Sequence, residues 1–199
     1  MSEQILISIG RESGSGGLAI AQKIADELGI KIYDKNILTQ VYAENPEVSE
    51  KMAKYEEKAP TPFLSRHVRG MTNSPEENVA KQEFAFISER AAAGESFVVV
   101  GRCANEVLKD RPELISIFVN GDLEFRKQRT MELNGLDEHD ALEMIGDTDS
   151  ARRKYHNKYC ESKWGDAKCY DLIINVAKLG PEETADALLA YIRRRIAAL

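Results

Sequence analysis

The segment from Ile5 to Leu28 constrains the fold more than any other part of the chain. The apolar run Ile5–Ile9 is typical of a strand buried on both faces of a parallel sheet. Residues 13–17 are glycine-rich and form the next loop. Ile20, Ile24 and Leu28 then recur every fourth residue, which predicts an amphipathic helix. The segment therefore predicts a strand, a loop and a helix in direct succession.

The loop has the composition of a phosphate cradle. Glycines permit the backbone dihedrals that aim several N–H groups at one anion, and the following helix adds its positive end. The alternative is a tight turn that binds nothing, but such a turn rarely needs three glycines and two serines. We therefore expect the loop to bind phosphate through Ser13, Gly14, Ser15, Gly16 and Gly17.

The loop departs from the common nucleotide-binding motif, in which glycine and four residues precede glycine, lysine and a hydroxyl residue. Anchored on Gly16, the motif has Arg11 at its first position, Gly17 in place of the lysine and Leu18 in place of the hydroxyl. Since that lysine neutralises phosphate charge during transfer, another cation is needed. The candidates are Arg11, Arg102, Arg152 and Arg153.

The rest of the chain alternates between strand and helix patterns. Further strands are predicted at 30–33, 97–100, 114–119 and 172–176, which makes five in all. This alternation predicts an α/β fold with a parallel sheet covered by helices on both faces. We expect one domain over residues 1–199, with a polar helical insert at about 44–80. Ligands in such folds bind beyond the carboxyl ends of the strands.

Composition excludes several classes of protein. The formal net charge is −6, which argues against a nucleic-acid-binding surface. No apolar run approaches about 20 residues, so no membrane span is expected. The three cysteines show no pairing pattern, which favours a reducing cytoplasm. His156, Cys160 and Cys169 lack a fourth ligand for zinc, so no metal site is predicted, and Cys103 is expected to be buried and inert.

Four segments resemble the cytidylate kinase-like family, a branch of the P-loop nucleoside monophosphate kinases. They are ISIGRESGSGGLAIAQKIADELGIKIYD, FVVVGRC, ISIFVNGDLEFRKQR and DTDSARRKYHNKY. The first is similar to that family's opening, where GSGG is common, and the last to its arginine-bearing lid. The resemblance implies a three-layer P-loop kinase fold with a helical insert and lid-like helices at about 136–165.

The resemblance also implies roles for side chains. The loop and Arg11 would bind ATP with Mg²⁺, and Arg102, Arg152 and Arg153 would be catalytic. The acceptor would be held by Asp34, Arg66, Arg102, Asp149 and Arg152. The family's Gly-Arg-Asp motif has Cys103 in place of its aspartate, which puts recognition of the base or ribose in question more than phosphate binding.

Each side chain also has a structural interpretation. Arg102 follows a buried strand and could be a salt-bridge partner, and Asp34 could cap the next helix. Arg126 and Arg129 are expected to lie on a solvated helix face. Arg152, Arg153 and Lys154 are adjacent and cannot all face a cleft; a solvated face is their alternative. Trp164 could stack on a base or pack in the core.

These observations leave two functional hypotheses. The first is an ATP-dependent phosphotransferase acting on a nucleoside monophosphate or related small acceptor. The second is a non-catalytic binder of a nucleotide or phosphorylated metabolite, favoured by the absent lysine and hydroxyl. Neither requires a nucleic acid or membrane partner, and both leave a homo-oligomer open.

Overall fold

A computed structural model of the chain describes residues 4–35, 67–68, 71–72 and 75–198. Its strands are β1 (Leu6–Arg11), β2 (Lys31–Tyr33), β3 (His67–Val68), β4 (Met71–Thr72), β5 (Phe97–Val100), β6 (Leu114–Asn120) and β7 (Leu172–Asn175). Its α-helices are α1 (Gly17–Leu28), α2 (Pro75–Ala92), α3 (Ala104–Val107), α4 (Leu123–Asn134), α5 (Glu138–Tyr159) and α6 (Gly180–Ile196). Short 3₁₀ turns occupy Ala167–Cys169 and Val176–Lys178.

Five strands form one parallel sheet in the order β2-β5-β1-β6-β7. The central strand β1 pairs with β5 on one side and β6 on the other, with Ile9 opposite Val100 and Ile117. The carboxyl ends of β1, β2 and β5 therefore meet at one edge. That edge carries Arg11 and Asp34 and lies at the point where the strand order reverses, where open α/β sheets bind ligands.

The two faces of the sheet bury separate apolar clusters. On one face Ile7 and Ile9 pack with residues of α1 and α6, and all of them are buried. On the other face Leu6 and Phe97 pack with α2 and α3. Helix, sheet and helix thus form three layers, and the predicted fold class is confirmed. Among the helices that the structure describes, none is long and apolar enough to span a bilayer.

The predicted helical insert is described only in part. Two pairs of residues within it, His67–Val68 and Met71–Thr72, form a short antiparallel ladder rather than a helix. The helix predicted to follow Ser74 begins at Pro75, a residue suited to a first helical turn because it has no N–H to satisfy. The rest of the insert lies outside the described residues, and its bounds and the single-domain division stay predictions.

Helix α5 carries the lid-like sequence. Asp137 caps it by accepting a hydrogen bond from the backbone N–H of Asp140 at 2.9 Å. Its buried residues include Ala141, Ile145 and Asp149, one turn apart, and then His156. Because the inner face changes from apolar to polar along the helix, its second half brings polar side chains to the edge of the sheet.

Candidate active site

The loop between β1 and α1 is held open by its glycines. Gly14 and Gly16 have φ angles of 76° and 78°, which disfavour other residues. A Cβ at Gly14 would lie 2.7 Å from the carbonyl oxygen of Arg126, so the loop packs directly against α4. Within the described part of the chain, the N–H groups of Gly14, Gly16 and Gly17 have no hydrogen-bond acceptor. Donors of this kind at a helix N-terminus suit a phosphate.

Arg11 occupies the space that a lysine at position 17 would need. A Cβ on Gly17 would lie 2.6 Å from Cβ and 3.1 Å from Cγ of Arg11. The guanidinium extends to Gly101, where an added Cβ would overlap its Nη1 atom. The side chain of Arg11 therefore fills the space beside Gly17 and brings a positive charge close to the position of the missing lysine.

A cavity of about 590 Å³ opens beside the loop. Its lining includes three of the predicted arginines, Arg11, Arg102 and Arg152, which lie on β1, after β5 and on α5. It also includes Lys35, Glu83 and Tyr155. The loop residues 13–17 are not in this lining, so the loop and the cavity are adjacent sites that share Arg11. Such a pair suits a reaction between two bound phosphate-bearing molecules.

Positive charge in the cavity is poorly compensated. Burial and then the charges of Arg152 and Arg102 lower the pKa of Arg11 to about 9, while Asp34 opposes them. Burial also lowers the pKa of Arg152, against the attraction of Asp149. Arg152 donates from Nη1 to the carbonyl oxygen of Arg11 at 3.3 Å. These positive charges repel one another, so a bound anion would lower the electrostatic free energy of the cavity.

Arg102 is held by a buried carboxylate. Its Nη1 lies 2.9 Å from Oε1 and 3.1 Å from Oε2 of Glu83, which also accepts from Tyr155 Oη at 3.1 Å. Arg102 and the following Cys103 have φ angles of 56° and 54°, which non-glycine residues adopt only under constraint. The salt-bridge interpretation is thus supported, although Arg102 also lines the cavity and retains other donor groups.

Arg126 corrects a sequence expectation. It was expected on a solvated face, but it is buried and only 9% exposed. Its Nη1 lies 2.7 Å from Asp149 Oδ2 and donates to the carbonyl oxygen of Ser13 at 3.1 Å, while Nε donates to that of Gly121 at 3.0 Å. Hydrophobic periodicity could not indicate this, because the buried residues of α4 are polar.

Asp149 joins the lid helix to the loop. Its Oδ1 accepts from the backbone N–H of Ser13 at 2.7 Å, and its Oδ2 faces Arg126. Both oxygens are therefore engaged within the protein. The predicted role of Asp149 toward an acceptor stays a prediction, and the structure adds a positioning contact that the spacing of Asp149 and Arg152 did not indicate.

Arg129 is a further cation beside the loop. A Cβ on Gly16 would lie 3.3 Å from its Nε and 3.2 Å from Cγ of Pro181, so the two side chains flank this glycine. Arg129 is partly exposed and, among the described residues, has no ion-pair partner. The sequence placed it on a solvated face, yet it lies where it could contact a phosphate on the loop.

The remaining predicted residues lie apart from this arrangement or outside the described chain. Arg153 is exposed, with its guanidinium 5.3 Å from the centre of the Trp164 ring, and is not in the cavity lining. Asp34 follows β2 and is close enough to Arg11 to raise its pKa. Arg66 lies outside the described residues. Trp164 packs edge-on against Phe118 at 5.2 Å while lining the cavity.

The loop fits a nucleotide phosphate better than it fits a directly bound magnesium ion. Leu18, at the hydroxyl position, is 48% exposed and offers no oxygen, and Ser15 Oγ donates to the carbonyl oxygen of Glu12 at 2.8 Å. Magnesium keeps several waters and is commonly held through substrate phosphates. Asp34 is a carboxylate near Arg11 at the sheet edge, and a role in holding such a hydrated ion stays a prediction.

Comparison with known proteins agrees with this arrangement. A model described as the cytidylate kinase-like family matches residues 6–178. A cytidylate kinase from Pyrococcus horikoshii is 26% identical over 183 residues, 90% of this chain and 84% of that protein. A crystal structure of an uncharacterized protein from Eubacterium ventriosum is 37% identical, covers 96% of this chain and 99% of its own, and gives a TM-score of 0.77. A gluconokinase structure from Sinorhizobium meliloti shares the fold at 19% identity, TM-score 0.59, covering 100% and 97% of the two chains.

Proposed function

The chain belongs to the cytidylate kinase-like family, and from this premise we propose that it transfers the γ-phosphoryl group of ATP to a nucleoside monophosphate or a related small anionic acceptor. The family and the kinase fold support a nucleotide or small-molecule kinase. The acceptor is our inference. The observation that carries it is the group of arginines, Arg11, Arg102 and Arg152, around one cavity next to a phosphate-binding loop.

Charge explains how these residues would act. Transfer of a phosphoryl group needs little covalent help from the protein, so positioning and neutralisation of charge dominate. The N–H groups of Gly14, Gly16 and Gly17 would hold the donor phosphates, with Arg129 beside them. Arg11 and Arg152 would face the transferring group from the cavity. Mg²⁺, when bound with ATP, would shield the charge of the donor phosphates.

The cavity favours an acceptor that is itself an anion. A nucleoside monophosphate attacks through an ionised phosphate oxygen; a new P–O bond forms as the bond to ADP breaks, and no general base is needed. Glu83, the buried carboxylate in the lining, already faces Arg102 and Tyr155. It therefore orients Arg102 toward the acceptor phosphate rather than serving as a base.

Recognition of the acceptor beyond its phosphate would differ from that of true cytidylate kinases. Cys103 replaces the aspartate that the family places beside the arginine, and Asp149 is engaged with Ser13 and Arg126. Trp164 and Tyr155 supply aromatic surface in the same cavity. We infer that packing on these rings contributes more to acceptor choice than carboxylate hydrogen bonds do.

An acceptor panel tests the proposal. ADP formation is followed by a coupled assay with ATP and Mg²⁺ against nucleoside monophosphates and hydroxyl acceptors such as sugar acids. We expect turnover with one or a few monophosphates. Arg152→Gln serves as the inactive reference, so that activity shared by wild type and variant is assigned to contamination. ATP binding without turnover of any acceptor would overturn the kinase proposal.

A non-catalytic binder is the second candidate, favoured by Gly17 and Leu18 at the lysine and hydroxyl positions. Thermal shift separates the two. Stabilisation by ATP that requires magnesium supports the enzyme. Stabilisation by a monophosphate alone, indifferent to magnesium and without turnover, supports the binder. No shift with any nucleotide contradicts both.

A further inference from the structure

A second cluster of reactive side chains lies at the cavity wall. We propose that Cys103, His156 and Cys160 bind a thiophilic divalent metal ion, zinc by preference. All three are buried, and their ligand atoms lie within 4.8 Å of one another. Two thiols and an imidazole are the ligands that zinc prefers in proteins. The phosphotransferase proposed above does not require this site.

The spacing of the ligand atoms suits a tetrahedral ion. His156 Nδ1 lies 3.6 Å from Cys160 Sγ. With Zn–N of about 2.0–2.1 Å and Zn–S of about 2.3 Å, a tetrahedral zinc ion separates two such atoms by about 3.5 Å. The existing side-chain positions could therefore receive the ion without a large rearrangement.

The imidazole is oriented by a chain of hydrogen bonds. Ser162 Oγ donates its proton to Glu106 Oε2 at 2.8 Å. Ser162 Oγ therefore acts as the acceptor for His156 Nε2–H, which lies 3.2 Å away. This leaves the lone pair on Nδ1, the atom that faces the sulfur. A histidine ligand is commonly fixed in this way, by a partner on its other ring nitrogen.

The three ligands come from two parts of the fold. His156 and Cys160 lie one turn apart at the end of α5, and Cys103 directly follows Arg102 after β5. The sequence places Cys169 near these two residues but predicts no metal site from that set, whereas the structure brings Cys103 to them. A bound ion would link the lid helix to the constrained turn that carries Arg102. Cys103 and His156 also line the cavity, so the fourth coordination position would open toward it.

Metal content tests the site directly. The full chain, with any affinity tag removed, is purified under reducing conditions without chelator and analysed by mass spectrometry for metals. We expect about one zinc ion per chain, lost in Cys103→Ser and Cys160→Ser. Cys169→Ser is the matched control, because it removes a nearby thiol outside the cluster, and should keep the metal. Equal zinc in wild type and in folded Cys103→Ser overturns the proposal.

Cobalt gives a second readout that needs no cluster variant to fold. Titration of the metal-free, reduced wild-type chain with Co²⁺ should produce a sulfur-to-cobalt charge-transfer band and strong visible bands of tetrahedral geometry. Absence of both bands contradicts the site. An intact mass lower by about 2 Da, with Cys103 joined to Cys160, would show that the pair forms a disulfide instead and would equally overturn it. These measurements use no nucleotide, so their outcome is independent of kinase activity.

Discussion

One arginine, Arg126, and a pair of arginines in the cavity lie at the same edge of the sheet, and their surroundings are opposite. Arg126 faces carboxylates on two sides, Asp149 at 2.7 Å and Glu12 at 3.4 Å. Arg11 and Arg152 line one cavity and are in contact, because Arg152 donates to the carbonyl oxygen of Arg11 at 3.3 Å. Burial and the charges of Arg152 and Arg102 lower the pKa of Arg11. The comparison indicates that the compensated arginine, Arg126, holds the scaffold together. We propose that the cavity arginines, whose charge is less compensated, bind an anion instead.

The largest expected effect is on the compensated side. Arg126→Ala would leave the buried carboxylate of Asp149 without its partner and free the carbonyl oxygen of Ser13. We expect the free energy of unfolding to fall by about 3–5 kcal/mol, measured by urea denaturation. Arg129→Ala, one turn further along α4, is the matched control and should change it by less than about 0.5 kcal/mol. Equal stability of Arg126→Ala and wild type would remove the distinction between the two groups.

The next effect concerns turnover on the uncompensated side. Arg152→Gln should lower kcat/KM by about 10²–10³-fold, since it removes a donor aimed at the transferring group. Its folding stability should be unchanged or raised, because the repulsion with Arg11 is relieved. Arg153→Gln, the adjacent residue stacked on Trp164, should lower kcat/KM by less than about threefold. If both variants lose activity equally, the cavity lining does not define the catalytic cations.

The contact between Arg11 and Gly17 can be tested by changing both residues. Gly17→Lys should destabilise the fold by about 1–3 kcal/mol, because its Cβ would collide with the stem of Arg11. In an Arg11→Ala background the same change should cost less, and the double-mutant cycle measures the difference in denaturation free energies. Additive effects would show that the two positions are independent.

The smallest expected effect is a dependence of ATP affinity on pH. The folded pKa of Arg11, about 9, lies below its ordinary value of 12.5, so Arg11 loses its proton at a lower pH in the unliganded folded protein than in the unfolded chain. Phosphate ligands prefer its charged form, and their affinity should fall as pH rises through this value. We expect about a fourfold weaker ATP affinity at about pH 9.5 than at about pH 8, by calorimetry. Arg11→Gln should show a flat profile over this range, and a flat wild-type profile would contradict the assignment.

The titration of Arg11 should change the folding stability with pH in the direction opposite to its effect on ATP affinity. Between the folded and unfolded pKa values the unfolded chain binds more protons than the folded one. The contribution of Arg11 to stability therefore rises with pH in that window, while below about 9 its burial is a constant cost. Ligand affinity and unliganded stability thus move in opposite directions with pH.

Much of the fold was predictable from the chain because its strands and helices have strong apolar patterns. The runs near Ile5, Phe97 and Leu114 are strands, as expected, and α1 ends at Leu28 and is capped by Gly29, which has a φ of 63°. Positions 67–72 were expected in a polar, helix-prone insert, but the described pairs form a ladder. Weak local patterns of this kind are decided by tertiary contacts.

The site was predictable where residues follow strand ends and less so where helices cross. Arg11, Arg102 and Arg152 meet at the cavity, as the order of the strands and the lid suggested. Arg126 was missed because its partners, Asp149 and Ser13, are distant in sequence and leave no periodic signal. The sequence does not link Cys103 to His156 and Cys160 either, since only the fold brings these three residues together.

The overlap between Arg11 and Gly17 has a consequence for how such a loop could change over generations. A lineage that gained lysine at position 17 first would pass through a destabilised intermediate, whereas one that first shortened the side chain at position 11 would avoid that clash. The change at position 11 should therefore precede the change at position 17. Arginine at the end of β1 and glycine at the start of α1 should therefore be inherited together.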